Sequence, residues 1–163
     1  MFISTSVPLA SATGADEPDA FGAGAGPMDQ PDHRSDRTAK KSLSILVVED
    51  EAMIAWLLNN ILEDCGHAVC GIASTAQESL DLARANRPDV VFMDITLKGE
   101  RDGIWAAEQM KALFGLKVIF LTARVDTFTR TRAKLVEPLA YLTKPFSETE
   151  IAAVLKQAGG EGS

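Results

Sequence analysis

From Leu43 onward, short apolar runs alternate with amphipathic segments, and the alternation repeats five times. Ser44 to Val48 predicts a buried strand that breaks off at Glu49-Asp50-Glu51. Met53 to Cys65 keeps helical spacing and is stopped by Gly66 at the C′ position. Ala68 to Ile72 predicts a second strand, and Thr75 with Glu78 a capping box for a helix reaching about Asn86. Val90-Val91-Phe92-Met93 is wholly apolar, reads as a strand buried on both faces, and ends on Asp94. A polar loop leads through Gly103 to a helix whose apolar positions are Ile104, Ala107, Met110 and Phe114. Lys117 to Leu121 is a fourth strand ending on Thr122. A helix between Asp126 and Val136 is closed by Pro138, and Leu139 to Leu142 is a short fifth strand. Ser147 with Glu150 caps a last helix, which runs out at Gly159-Gly160.

Strand–helix alternation of this kind predicts an α/β fold: a doubly wound, five-stranded parallel sheet with right-handed crossovers and helices on both faces. The flavodoxin-like order 2-1-3-4-5 is one of two common solutions, and pattern alone excludes no other. Residues 1–42, rich in Ala, Gly, Ser, Pro and Asp, read as a disordered N-terminal tail. Residues 43–158 form the domain, and 159–163 a short flexible C-terminus. The run Gly22-Ala23-Gly24-Ala25-Gly26 neither follows a strand nor opens a helix, so it reads as a linker rather than a phosphate-binding loop.

Composition narrows the function. A chain of 163 residues has room for one well-buried core. Sixteen basic against 23 acidic residues give a net charge of −7, which disfavours direct nucleic-acid binding. Only two cysteines occur, Cys65 and Cys70, too few for a disulfide scaffold, and they are expected as buried, reduced thiols. No apolar stretch approaches the roughly 20 residues of a membrane span, and Met1 to Ala10 lacks the features of a secretory signal. A cytoplasmic protein without membrane contact is expected.

The candidate chemistry lies at the strand ends. In an open α/β sheet the carboxyl ends of the strands line the ligand crevice. This places Glu49, Asp50, Asp94, Thr122 and Lys144 at one edge. Any one acid alone would most often be a helix N-cap, and Glu51 reads so. Three carboxylates within about 5 Å of one another repel by several kcal/mol per pair, more than one lysine offsets. An oxygen-only donor set that calls for a cation points to Mg²⁺.

These residues carry a resemblance. Val47-Val48-Glu49-Asp50-Glu51, Phe92-Met93-Asp94, Leu121-Thr122-Ala123 and Tyr141-Leu142-Thr143-Lys144-Pro145-Phe146 resemble, in order, the blocks of the receiver domain of two-component response regulators. The resemblance implies that Asp94 accepts a phosphoryl group from a sensor histidine kinase or a histidine phosphotransfer protein. It implies that Asp50, Asp94 and the backbone carbonyl of Thr96 hold Mg²⁺ directly, with Glu49 acting chiefly through water. Lys144 would offset charge on the transferring group, Thr122 would hydrogen-bond it, and Tyr141 would turn inward to remodel the face of the fourth helix, fifth strand and fifth helix. A cis Lys144–Pro145 bond is implied too. The sequence departs from the family at Ile95 to Gly103, where the loop is one residue longer and lacks proline. It departs again at Glu137-Pro138-Leu139, which replaces a common Ala-Gly-Ala.

No sequence follows Ser163, so the domain is expected to act through contacts, as a regulator of a downstream protein target or as a phosphate shuttle or sink. The first helix supports a docking role, because its apolar positions span roughly 240° where a core stripe needs roughly 100°. Met53, Ile54 and Leu57 are the expected contacts for a kinase or phosphotransfer helix bundle. Two other readings fit the residues less well. An aspartyl-phosphate phosphatase of the haloacid dehalogenase type needs a second Asp where Thr96 stands. A phosphorylation-independent adaptor would not need the complete acid, Thr and Lys set. The chain is therefore expected not to be an enzyme.

Overall fold

A computed structural model describes residues 40–160. Five strands, β1 (Ser44–Val48), β2 (Ala68–Ala73), β3 (Val90–Asp94), β4 (Lys117–Thr122) and β5 (Ala140–Thr143), form one parallel sheet in the order β2-β1-β3-β4-β5. Helices α1 (Ala52–Asp64), α2 (Ala76–Asn86), α3 (Gly103–Phe114), α4 (Thr127–Leu135) and α5 (Glu148–Ala158) alternate with them. This is the flavodoxin-like arrangement. The expected tail lies almost wholly outside the described residues, as do residues 161–163.

Strand periodicity explains the layers. Ile45 and Val47 of β1, Val90 and Phe92 of β3, and Ile119 and Leu121 of β4 pack with Leu58, Ile61 and Leu62 of α1 and Ile151 and Leu155 of α5. The intervening residues Leu46, Val48, Val91, Met93, Val118 and Phe120 pack with Leu80 and Ala83 of α2, Ile104 and Met110 of α3, and Ala133 of α4. Both faces of β3 are thus covered, which is why its sequence is an unbroken apolar run. Each fully buried Leu, Ile or Phe contributes roughly 2 kcal/mol.

Helix ends follow the local sequence with one adjustment. Gly66 takes φ +86°. Its N–H donates to the Glu63 carbonyl and that of His67 to the Leu62 carbonyl, closing α1 as expected. The Ser147–Glu150 capping box is reciprocal. At α2, Thr75 Oγ1 accepts from the Glu78 N–H at 3.2 Å, but the Glu78 carboxylate reaches one residue further, to the N–H and hydroxyl of Ser74. Ser74 offers two donors where the Thr75 N–H would offer one. The cysteines also differ from expectation: both are free but only half-buried, since Cys65 closes a helix at the surface and Cys70 lies in an edge strand.

His67 is a buried polar residue that the sequence pattern does not single out. Its Nδ1 accepts the Leu43 N–H at 3.1 Å, which leaves the ring proton on Nε2, an atom with no partner among the described residues. Burial, and then the charge of Lys40, lowers its pKa below the ordinary histidine value. The unfolded chain therefore binds a proton first as pH falls. Stability is complete above about pH 6.5 and is lost as pH drops from there toward the folded-state pKa. Urea unfolding between pH 7.5 and 5.5 is expected to show a steeper loss in the wild type than in His67→Asn, whose amide oxygen keeps the Leu43 bond without titrating. The slopes should differ by at most about 1.4 kcal/mol per pH unit; parallel profiles would refute this role for His67.

Candidate functional site

The alternation that builds the core also builds the site. Continued at period two to the strand ends, the row Ile45, Val47 leads to Glu49, the row Val90, Phe92 to Asp94, and Leu142 to Lys144. Period two sends all three toward the α1 and α5 side of the sheet. Since β1 pairs with β3, Glu49 and Asp94 become neighbours. With Asp50 they present carboxylate oxygens that all lie within 4.8 Å of one another. Lys144 reaches in across the end of β4, its own N–H held by the Thr122 carbonyl at 2.7 Å. Its Nζ donates to Glu49 Oε2 at 2.5 Å and to Asp94 Oδ2 at 3.0 Å.

Charge dominates this pocket. At an effective dielectric of about 20, each pair of like charges near 4.8 Å costs about 3 kcal/mol. Burial pushes the Glu49 carboxyl above the usual Glu range, opposed in part by hydrogen bonds from Lys144 and from the Glu51 N–H. For Lys144, burial works against the ammonium, yet its bonds to Glu49 and Asp94 hold its pKa above the ordinary lysine value. Sequence reading counted one lysine here, and the structure corrects that. Lys98, from the β3–α3 loop, places Nζ 3.7 Å from Asp50 Oδ2. Two monovalent, long-stemmed ammonium groups still leave three oxygen donors converging on one point, a set that fits a hard divalent cation.

Backbone bonds hold the acids in place. Asp94 Oδ1 accepts the Thr96 N–H at 3.0 Å, and Glu49 Oε1 accepts the Glu51 N–H at 3.0 Å. Ile95 donates to the Leu121 carbonyl and accepts from Gly103 at 3.0 Å. Gly103 itself is a residue that the sequence reading passed over: a Cβ there would stand 1.8 Å from the Asp94 carbonyl oxygen. A glycine directly after an N-cap, here Asp102, was the available signal.

Thr122 continues the other row, Val118 and Phe120, and its hydroxyl donates to the Ala123 carbonyl at 3.2 Å. Tyr141 pairs in register with Phe120, with ring centroids 5.9 Å apart, and is exposed on edge strand β5. Thr122, Arg124, Arg130, Lys134, Tyr141 and Lys144 line a cleft of about 610 Å³ between α4 and β5. The Lys144–Pro145 peptide is cis. At the second departure, Glu137 takes φ +54°, with Lys111 Nζ bonded to both the Val136 carbonyl and Glu137 Oε2.

The surplus apolar arc of α1 is exposed in part. Met53 is 78% exposed and Leu57 is also exposed, but Ile54 is half-buried. Ile54 lines a groove of about 360 Å³ with Leu57, Pro145 and Phe146, beside Lys144. Trp56 of the same helix is 63% exposed. No helix among the described residues is long and apolar enough to cross a membrane.

Comparison with known proteins agrees with this geometry. Residues 45–156 match the response regulator receiver domain family. The chain is 34% identical over 121 residues to the phyllosphere-induced regulator PhyR of Methylorubrum extorquens, covering 74% of this chain and 45% of that one. It is 33% identical over 124 residues to the transcriptional regulatory protein PdtaR of Mycobacterium tuberculosis, covering 76% of this chain and 60% of that one. The chain thus spans about half to three-fifths of these curated relatives, which are regulators. Among solved structures, the signal receiver domain of a modulated diguanylate cyclase from Desulfovibrio desulfuricans is similar at a TM-score of 0.71 and 33% identity, covering 74% of this chain and 96% of that one. The anti-anti-sigma factor PhyR of Bartonella quintana is similar at 0.61 and 28%, covering 74% and 48%. With the acidic triad, the lysine that bridges it and a family match over most of the chain, the protein belongs to the response regulator receiver domain family.

Proposed function

We propose that this protein is a response regulator that takes a phosphoryl group onto Asp94 from a sensor histidine kinase or histidine phosphotransfer protein. It then signals through phosphorylation-dependent contacts with a downstream protein, or passes the group on as a shuttle or sink. The observation that carries the reading is Lys144 Nζ at 3.0 Å from Asp94 Oδ2, within a cluster of three carboxylates. An Asp94 carboxylate oxygen forms a bond to phosphorus as the phosphorus–nitrogen bond of the donor histidine breaks, and the freed imidazole takes up a proton. Asp50, Asp94 and the Thr96 carbonyl would hold Mg²⁺, with Glu49 acting through water; bound there, the ion would offset charge on the phosphoryl oxygens. Lys144 shares that task from the opposite side. Thr122 turns its hydroxyl from Ala123 to the phosphoryl group, and Tyr141 follows inward. Met53 and Leu57, with Ile54 at the groove below them, dock the donor.

Intact-mass measurement after incubation with Mg²⁺ and acetyl phosphate should show one added phosphoryl group on the wild type and none on Asp94→Asn. Leu57→Glu should still be labelled by acetyl phosphate but lose at least tenfold in transfer rate from a cognate kinase. An unlabelled wild type with both donors, or a fully labelled Asp94→Asn, would overturn the reading.

A further inference from the structure

The three carboxylates at the strand ends are not held alike. Glu49 and Asp94 each accept a backbone N–H, from Glu51 and Thr96, and each is bonded to Lys144. Asp50 is paired instead with Lys98, whose Nζ stands 3.7 Å from Asp50 Oδ2. At that distance the pair is held by charge and not by a hydrogen bond. The two partners differ sharply in exposure: the Lys98 side chain is 84% exposed and that of Asp50 only 9%.

The loop that carries Lys98 is anchored, while its ammonium is not. Leu97 is buried, and Gly99 takes φ +114°. Lys98 also borders an open cleft of about 530 Å³, which it lines with Thr75, Glu100 and Trp105. The side chain can therefore leave Asp50 for this cleft without unpacking the core. Lys144 has no such freedom, since its side chain is 14% exposed and bonded to two acids at once.

We infer that Lys98 is a built-in competitor of Mg²⁺: its ammonium pairs with Asp50 in the metal-free protein and has to leave when the ion binds. This one side chain then sets the Mg²⁺ concentration at which Asp94 is ready for phosphoryl transfer. The inference rests on the proposed function, whose metal-binding acids it takes as given. Its physical basis is that an ammonium and a divalent cation drawn to the same carboxylate repel each other. Competition lowers the apparent metal affinity by the fraction of molecules in which Asp50 is already paired. Because the lysine is exposed, solvent screens the pair, and the effect is a moderate shift of affinity and not a block.

The test is a Mg²⁺ titration of the full chain without any phosphodonor, followed by the rise of the thermal midpoint, which reports the metal affinity. Lys98→Met should bind Mg²⁺ roughly three- to tenfold more tightly than the wild type at about 50 mM KCl, and Lys98→Arg within about twofold of the wild type. At about 500 mM KCl the gain should fall by at least about half, because the screening length drops to roughly 4 Å. Arg101→Met is the control for net charge: Arg101 lies on the same loop but stacks over the Trp105 ring at 4.9 Å, so its removal should give less than about half the gain. The Mg²⁺ concentration for half-maximal Asp94 labelling by acetyl phosphate should fall in Lys98→Met by the same factor as the affinity rises. An unchanged or weaker affinity in Lys98→Met, a gain that salt leaves intact, an equal gain from Arg101→Met, or a Lys98→Arg protein that behaves like Lys98→Met would each overturn the inference. A wild type whose midpoint ignores Mg²⁺ would sink the metal site of the proposed function as well, whereas a normal wild-type response that Lys98→Met does not shift sinks only the inference.

Discussion

Replacing Lys144 with methionine is expected to lower the thermal midpoint by roughly 10 °C in EDTA and to reduce Asp94 labelling by about a hundredfold or more. Methionine keeps most of the apolar stem, so the change isolates the ammonium. Its removal leaves Glu49 and Asp94 buried with no cation bonded to either. Deleting one partner of a buried ion pair costs about 3–5 kcal/mol. Glu49, whose carboxyl burial already pushes upward, can relieve part of this by taking a proton, which places the loss near the lower end. A divalent cation should compensate, so 10 mM Mg²⁺ is expected to raise the midpoint of the variant by more than that of the wild type. Differential scanning calorimetry decides it. Equal midpoints in EDTA, or equal gains from Mg²⁺, would sink the electrostatic account.

The second large effect is geometric. In Gly103→Ala, the new methyl group would lie 1.8 Å from the Asp94 carbonyl oxygen, 2.8 Å from its carbonyl carbon and 3.1 Å from Met93 Cγ. No rotamer relieves a clash with backbone, so the first turn of α3 must retreat by on the order of 1 Å, losing the Gly103–Ile95 bond. A loss of about 3–4 kcal/mol in urea unfolding is expected. Stabilisation by Mg²⁺ should also shrink, because Asp94 moves with its carbonyl. Gly99→Ala is the comparison: its methyl group meets open space, but φ is +114°, so only backbone strain of about 1–2 kcal/mol applies. A Gly103→Ala protein as stable as Gly99→Ala, with metal response intact, would rule out the close approach as a structural requirement.

Much of the fold was legible because period two and period 3.6 are local properties. The apolar run of β3 announced a strand covered on both faces, and Ser147 with Glu150 announced the start of α5. Errors fell where two local solutions compete. Glu78 chose Ser74 over Thr75, and on α1 Ile54 is half-buried in a groove that Phe146 also lines while Trp56 is exposed. For Glu78 the alternatives differ by one residue and the extra hydroxyl donor of Ser74 decides, whereas Ile54 lines a groove with Pro145 and Phe146 from outside its helix.

The candidate site divides in the same way. Glu49, Asp94 and Lys144 could be named from sequence because each follows an apolar strand, and alternation alone assigns them to one face. The sequence by itself therefore determined which residues form the strands, which side chains turn inward, and which acids and lysine crown the strand ends. Tertiary structure decided how those ends meet. Strand order set β1 against β3 so that the carboxylates lie within 4.8 Å, the long stem of Lys144 bridged them over β4, and the loop after β3 brought Lys98 to Asp50. It also decided that Gly103 must lack a side chain. Spacing along a chain fixes the direction in which a side chain points, whereas the Coulomb energy of two charges depends on a distance through space that only the packed sheet supplies.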